Sequence, residues 1–385
     1  MTGAWPMVSL GEICEIQRGG SPRPISSYIT ESEEGINWIK IGDVAVGAKY
    51  LSSTEEKIKP EGAKRSRMVY PGDFILSNSM SFGRPYIMRT SGCIHDGWLV
   101  LRDTNKRLSE DYLYRVLGSD FVVSQFKKMA VGAVVKNLNK EVVQAVVIPL
   151  PPLPEQRRIA AILDHADALR AKRREALAQL DSLTQSIFIE MFGDPVQNTE
   201  NWPIKTLKEL GRVKTGGTPP SAKEGMFNGE IPFVTPGDLG RNGPAKRTVT
   251  TLGAAEAETV RGGSALVCCI GATIGKMAKA SQFCAFNQQI NAVEWGAAVD
   301  DDFGICALEF FKAHIATQGA STTLPILKKS SFEKIEIPNP PLAIQQTFAI
   351  HIQALNVLKA SHRAALAELN TLFASLQHRA FRGEL

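Results

Sequence analysis

The feature that most constrains this chain is that it is written twice. Trp5-Pro6 with Leu10, Glu12 and Gly19-Gly20-Ser21-Pro22 returns as Trp202-Pro203 with Leu207, Glu209 and Gly216-Gly217-Thr218-Pro219, a constant offset of 197 residues. Further on, Ile36-Asn37-Trp38-Ile39 with Gly42-Asp43 answers Ile231-Pro232-Phe233-Val234 with Gly237-Asp238, and Phe82-Gly83-Arg84 answers Ile274-Gly275-Lys276. By Pro149 and Pro338 the offset is 189, so the second copy is eight residues shorter and the difference falls in loops. Repetition on this scale fixes the architectural unit before any residue-level reading. Here the unit is a globular part followed by a long helix.

The first long helix is announced by a proline-rich stop, Pro149, Pro151, Pro152 and Pro154. Missing amide donors and the restriction on residues before proline hold the backbone extended there, which places the helix start at Glu155. Ile162, Ala166, Leu169, Arg173, Ala176, Leu180, Leu183 and Ile187 then step by alternating four and three residues, one stripe with a coiled-coil repeat. Gly193 ends it, just before Asp194-Pro195. A single amphipathic helix of about 37 residues, roughly 56 Å long, cannot bury its own apolar face. The C-terminus supplies a partner: Ile337-Pro338-Asn339-Pro340-Pro341-Leu342 repeats the stop, Gln345-Gln346 echoes Gln156, and Leu355, Leu358, His362, Ala365, Leu369, Leu372 and Leu376 repeat the stripe. This reading predicts globular domains at residues 1–154 and 194–343, joined to helical spacers at 155–193 and 344–385.

Within each globular part the sequence predicts short strands broken by Gly and Pro, at residues 68–76, 98–101 and 144–148 in the first copy and 264–270 and 334–337 in the second. Helical spacing marks residues 111–128 and 303–318. Each part is therefore expected to be α+β with a mostly antiparallel, irregular sheet. Two like units in one chain close most easily about a pseudo-two-fold axis, giving antiparallel helices with the globular parts at opposite ends.

A hydrophobic fraction of 44% is ordinary for globular protein, and the longest apolar runs, such as residues 265–270, are far too short to span a bilayer. With no signal-peptide pattern at the N-terminus, a cytoplasmic location without membrane contact is expected. The six cysteines form no CxxC pair and have no His at finger spacing, which favours buried thiols over zinc. A net charge of +5 is only mildly basic and by itself decides nothing about nucleic acid.

Comparing the copies disposes of three catalytic motifs. Asn339-Pro340-Pro341-Leu342 resembles the N-P-P-aromatic motif of adenine-N6 methyltransferases, but Leu342 replaces the stacking aromatic, and the first copy reads Leu150-Pro151-Pro152-Leu153. Gly271-Ala272-Thr273-Ile274-Gly275-Lys276 is one residue short of a phosphate loop, with Met277 where Ser or Thr should bind magnesium. His95-Asp96 suggests an acid-base pair, yet the second copy has Asn287-Gln288, which cannot titrate; base-edge reading or plain turn chemistry suits both. No nucleophile-base constellation, metal cluster or carboxylate pair recurs.

What remains is a set of polar loops with basic side chains: Arg23, Arg65, Arg67, Ser79, Arg84, His95, Lys136 and Asn137, then Lys214, Thr218, Lys246, Arg247, Thr273, Lys276, Gln288, Gln289, Lys328 and Lys329. Lys and Arg neutralise phosphates, while Arg, Asn and Gln make bidentate contacts to purine edges. They are candidate DNA contacts. Ile162, Leu169, Leu180, Leu183, Ile187, Leu355, Leu358, Leu369, Leu372 and Leu376 are the candidate helix-pair and partner interface.

On these motifs the chain resembles a specificity subunit of a type I restriction-modification system. The resemblance covers the whole chain, and P-P-L-P-E-Q-R-x-I-A-x-I-L-D at residues 151–164 carries most of it. It implies a non-catalytic subunit that reads double-stranded DNA as two half-sites separated by a fixed gap. It also implies two methyltransferase subunits and restriction-translocase subunits as partners, with S-adenosylmethionine, ATP and Mg in those partners and no cofactor in this chain. On the residues alone, a coiled-coil adaptor that binds proteins through its loops remains the alternative.

Overall fold

The computed structural model describes residues 5–45, 47–78, 83–129, 138–241, 243–318 and 325–385. The chain divides into two units, one of residues 1–173 with 365–385, the other of residues 174–364. Both divisions fall inside the long helices, Leu153–Phe192 and Leu342–Ala380. Each unit is thus a globular part with one half of each helix.

In the first unit two five-stranded sheets lie against each other. One runs Ile29–Thr30, Glu56–Ile58, Ile36–Ile39, Gly92–Ile94, Arg67–Val69, and the other Glu15–Arg18, Trp98–Arg102, Phe74–Ser77, Pro85–Met88, Tyr50–Leu51. Pairing is antiparallel except for Gly92–Ile94 on Ile36–Ile39 and Tyr50–Leu51 on Pro85–Met88. The second sheet is covered on both faces. Phe74, Leu76, Leu99 and Leu101 face helices at Glu110–Leu117 and Asp120–Met129, while Ile75, Trp98 and Val100 meet Ile39, Val69 and Ile94 of the other sheet. That double burial explains why these strands read as unbroken apolar runs rather than alternations.

The second unit repeats the plan with four strands per sheet: Gly211–Thr215, Ile290–Trp295, Ala265–Cys268, Met277–Lys279, and Arg247–Val249, Phe227–Val234, Cys284–Phe286, Glu258–Val260. Ala265 and Val267 face the helical side and Leu266 and Cys268 the sheet side, as in the first unit. Strand order matches copy for copy. Among the described residues the first unit adds the edge strands Ile29–Thr30 and Tyr50–Leu51, which locates extra length of the first copy.

Several sequence boundaries move. The predicted strand at 68–76 is two strands in different sheets, Arg67–Val69 and Phe74–Ser77, separated at Gly72, whose φ of +93° suits a turn. The strand expected at 144–148 is a helix, Lys140–Ala145, followed by Val147–Pro149, because Asn139 caps the helix by accepting from Val142 N at 2.8 Å. Each long helix begins earlier than expected: Pro154 sits in the first turn, where its missing N–H costs nothing. Gly193 does terminate the first helix, at φ +71°.

Three repeated motifs have structural jobs within each unit. Ser9 N and Oγ both donate to the Glu12 carboxylate (3.4 and 2.7 Å), and Thr206 N and Oγ1 do the same with Glu209 (2.8 and 2.6 Å), so each L-x-E motif starts a capped helical turn. The indole N–H of Trp5 donates to Ala380 O at 3.1 Å, and that of Trp202 to Phe192 O at 3.0 Å, each a carbonyl at the end of a long helix. Gln156, fully buried, accepts from Ser109 N (2.7 Å) and donates to Arg107 O and Pro151 O; Gln345 accepts from Asp300 N (2.9 Å) and donates to Ala298 O and Pro340 O. Asn339 accepts from the same Gln345 amide at 3.2 Å, which gives the N-P-P-L segment a helix-entry role.

Within each unit the helix halves run antiparallel. In the first, Arg170 Nε donates to Asn370 Oδ1 (2.8 Å) and Arg158 Nη2 to Leu385 O (2.9 Å). In the second, Lys359 Nζ meets Asp181 Oδ1 (2.9 Å), and Phe188 and Phe192 each pack on Phe348 with centroids 5.4 Å apart. The deepest helix burial faces the globular parts through Ile159, Leu163 and Phe188, off the predicted stripe, on which Ala166 is buried. On that stripe Ile162, Leu180, Ile187, Leu355, Leu369 and Leu376 are half-buried. Leu169, Leu183, Leu358 and Leu372 are exposed by 39–48%.

Candidate nucleic-acid interface

Each G-G-[ST]-P segment is pressed onto the turn that precedes the long central strand of its unit. Gly19 N donates to Trp98 O (2.9 Å) and Gly20 N to Ile94 O (3.1 Å); Gly216 N donates to Ile290 O (3.0 Å) and Gly217 N to Phe286 O (3.0 Å). A Cβ on Gly19 would lie 2.1 Å from His95 O, and one on Gly216 2.1 Å from Asn287 O, so only glycine permits the approach.

The turn itself has one geometry in both copies. His95 Nδ1 accepts from Gly97 N at 2.7 Å, and Asn287 Oδ1 accepts from Gln289 N at 3.1 Å. Burial lowers the His95 imidazole below its ordinary pKa, so the ring is a neutral acceptor. His95 is therefore a turn-former, and the equivalence with Asn287 is chemical as well as positional. The next residue carries the motif hydroxyl: Ser21 Oγ donates to Asp96 Oδ1 (2.8 Å), and Thr218 Oγ1 to Gln288 Oε1 (2.5 Å). The Ser21 bond, against a lesser cost of burial, holds the Asp96 carboxyl below its ordinary range. Asn78 Nδ2 and Arg18 Nε both donate to Asp96 O (2.7 and 3.2 Å). Ser21 and Asn78 escape the sequence reading as site residues, although the alignment of Ser21 with Thr218 is a signal for the first; Asp96 enters it only beside His95, as base-edge reading or turn chemistry.

A second loop flanks this turn. Asp43 accepts from Lys40 N (2.6 Å) and Glu55 N (3.3 Å), and Asp238 from Thr235 N (3.0 Å) and Lys246 N (3.2 Å), so the repeated Gly-Asp pair closes one loop in both units. Lys276 Nζ donates to Pro236 O at 3.4 Å, which brings the Gly271–Lys276 turn beside the loop that carries exposed Arg241 and Lys246. Gly275, at φ +82°, precedes the half-buried Lys276, and its counterpart Gly83, at φ +73°, precedes the exposed Arg84.

Arg23 is open to solvent, its side chain 84% exposed and 3.7 Å from Asp96 Oδ2. Arg65, Arg67, Arg84, Thr273, Gln288, Lys328 and Lys329 are exposed, and Gln289 is half-buried. Arg247 is exposed at a sheet edge and stacks over Phe227 at 4.6 Å. Lys214 is placed differently: it donates to Thr259 O at 2.8 Å and lies 3.4 Å from both Glu258 and Glu294, which neutralise it inside the unit. Ser79, Lys136 and Asn137 lie outside the described residues. Among the described residues no group of three His, Cys, Asp or Glu could hold a metal ion, and no helix is long and apolar enough to cross a membrane.

A duplicated mixed α/β fold whose equivalent loops present polar and cationic side chains defines a two-unit recognition protein. The comparisons give that class its family. The sequence profile described as "Type I restriction modification DNA specificity domain" matches residues 3–179 and again 199–371, and the chain belongs to this family. It is a DNA target-recognition subunit of the type I restriction-modification class. The chain is 24% identical to the MjaIX type I restriction enzyme specificity subunit of Methanocaldococcus jannaschii over 91% of this chain and 86% of that protein. A structure from a study of complex assembly and conformational transition of the type I R-M system matches with a TM-score of 0.62 at 21% identity, covering 99% of this chain and 98% of the other. The S subunit from M. genitalium matches with a TM-score of 0.58 at 14% identity, covering 98% and 96%.

Proposed function

We propose that this subunit reads a bipartite duplex target, one short half-site per globular part, and that the paired long helices set the gap between them. The observation that carries the reading is the recurrence of one loop frame in two separate units, with a different polar residue, Asp96 or Gln288, at the same place. The target-recognition domains are residues 1–154 and 194–343, and the helical spacers 155–193 and 344–385. The helices form an antiparallel coiled coil about a pseudo-two-fold axis; the antiparallel contacts inside each unit support this. Arg23, Arg65, Arg67, Arg84, Lys246, Arg247, Lys276, Lys328 and Lys329 supply phosphate contacts, because each is a cation at or near the surface of a loop or sheet edge.

The chain acts without catalysis of its own. It assembles with methyltransferase and restriction subunits, which bring S-adenosylmethionine, ATP and Mg, and the exposed Leu169, Leu183, Leu358 and Leu372 support a protein partner on the helices. The test is an exchange of residues 1–154 for those of a relative, followed by methylome sequencing of cells that also express the methyltransferase. The expected result is a change in one half-site only; a change in both would overturn the two-module reading.

A further inference from the structure

The duplicated frame singles out one position in each unit, and the inference drawn from it rests on the DNA-reading assignment above. We infer that Asp96 and Gln288 are the equivalent base-edge readers of the first and second half-sites, each aimed by the hydroxyl of its own G-G-[ST]-P motif. Ser21 and Thr218 are then positioning residues.

Three observations converge on this pair. The residues occupy the same place in the repeat, immediately after the turn-forming His95 and Asn287. Both are held by a hydroxyl from a segment 75 or 70 residues away in sequence, an arrangement that an ordinary solvated loop has no reason to keep in two copies. Both remain open to solvent, Asp96 with 45% of its side chain exposed. In each case the hydroxyl engages one oxygen and leaves the other end of the group outward.

The chemistry of that outward end differs between units. Asp96 Oδ2 can only accept, with Arg23 loosely placed at 3.7 Å, so it suits the exocyclic amino group of cytosine or adenine in the major groove. Gln288 has its Oε1 occupied by Thr218 and presents the Nε2 amide, which suits acceptors such as N7 and O6 of guanine or O4 of thymine. One frame thus reads an amino-bearing base in one half-site and an acceptor in the other.

The test uses the full chain expressed with its methyltransferase in a host lacking both, with methylome sequencing of wild type, Asp96→Asn, Ser21→Ala, Ser21→Thr and Gln288→Ala. Asp96→Asn is isosteric and should relax or change one base of the first half-site, by about 5- to 150-fold in discrimination, with the second half-site and gap intact. Ser21→Ala should relax the same base, Ser21→Thr should restore the wild-type motif, and Gln288→Ala should relax one base of the second half-site. An unchanged motif in both Asp96→Asn and Gln288→Ala, or a uniform weakening at all sites, would overturn the inference while leaving DNA reading in place. Should the Asp96 variant fail to accumulate, the Gln288 arm decides. A wild-type chain that yields no bipartite motif would instead sink the DNA-reading assignment itself.

Discussion

Gly19 and Gly216 lie against the turns at His95 and Asn287 more closely than any side chain would allow. Because a Cβ at either position would meet a backbone oxygen at 2.1 Å, no side chain can swing aside to relieve it. Gly19→Ala and Gly216→Ala should each destabilise their unit toward the upper end of the roughly 1–3 kcal/mol typical of overpacking. Gly42→Ala is the control, since nothing lies within 4 Å of the Cβ it would add. Denaturant midpoints of the three variants check this, and a Gly19→Ala chain as stable as Gly42→Ala would show that the turn yields. His95 adds a pH signature to the same turn. Burial depresses its folded pKa below the ordinary 6.5, so the unfolded chain takes up the proton first as pH falls. The stability that the neutral ring confers is fully present above 6.5 and is lost as pH drops through the window below it. His95→Asn, copying Asn287, should remove that part of the pH dependence in melting temperatures recorded between pH 7.5 and 5.

The long helices are fixed to their globular parts by polar clamps as much as by apolar contact. Gln156 and Gln345 are fully buried, and truncation of either strands backbone donors and acceptors at a helix entry. Gln156→Ala and Gln345→Ala should each cost about 1–3 kcal/mol or more, readable as a lowered denaturation midpoint. Loss below a few tenths would show that water replaces the amide freely. Part of this is legible in the sequence, because the repeat aligns Trp5, Glu12 and Gly19 with Trp202, Glu209 and Gly216 and echoes Gln156 in Gln345; what each of them holds comes only from the fold. That the two halves of the strand expected at 68–76 join different sheets is not legible, although Pro71-Gly72 between them is a turn signal. Nor is the depth of the helix stripe, since a heptad pattern reports which residues share a face and not whether a globular part lies on a different one. Leu183 fits the pattern and is 42% exposed, whereas Leu163 falls off it and is fully buried. Lys214 fails as a surface cation for a similar reason: Glu258 and Glu294 are 44 and 80 residues away in sequence and come together with it only in the folded sheets.

At the scale of the whole chain, the proposed ruler makes a quantitative demand. The unit boundary crosses the central helix after Arg173 and the C-terminal helix after Ala364. Insertions there spare the pairs that anchor each unit, Arg170 with Asn370 on one side and Lys359 with Asp181 on the other. Four residues added at both points lengthen the helix pair by roughly 6 Å at about 1.5 Å per residue. Duplex DNA advances about 3.4 Å per base pair, so the gap between half-sites should grow by one or two base pairs. Four residues also exceed one 3.6-residue turn by about 40°, so the apolar faces stay nearly in register, whereas two residues turn them by some 200° and should abolish activity. Methylome sequencing of cells carrying each double insertion reads out the result. An active four-residue variant with unchanged spacing would show that the helices do not set the distance, and a fully active two-residue variant would show that their facing sides are not the packing seam.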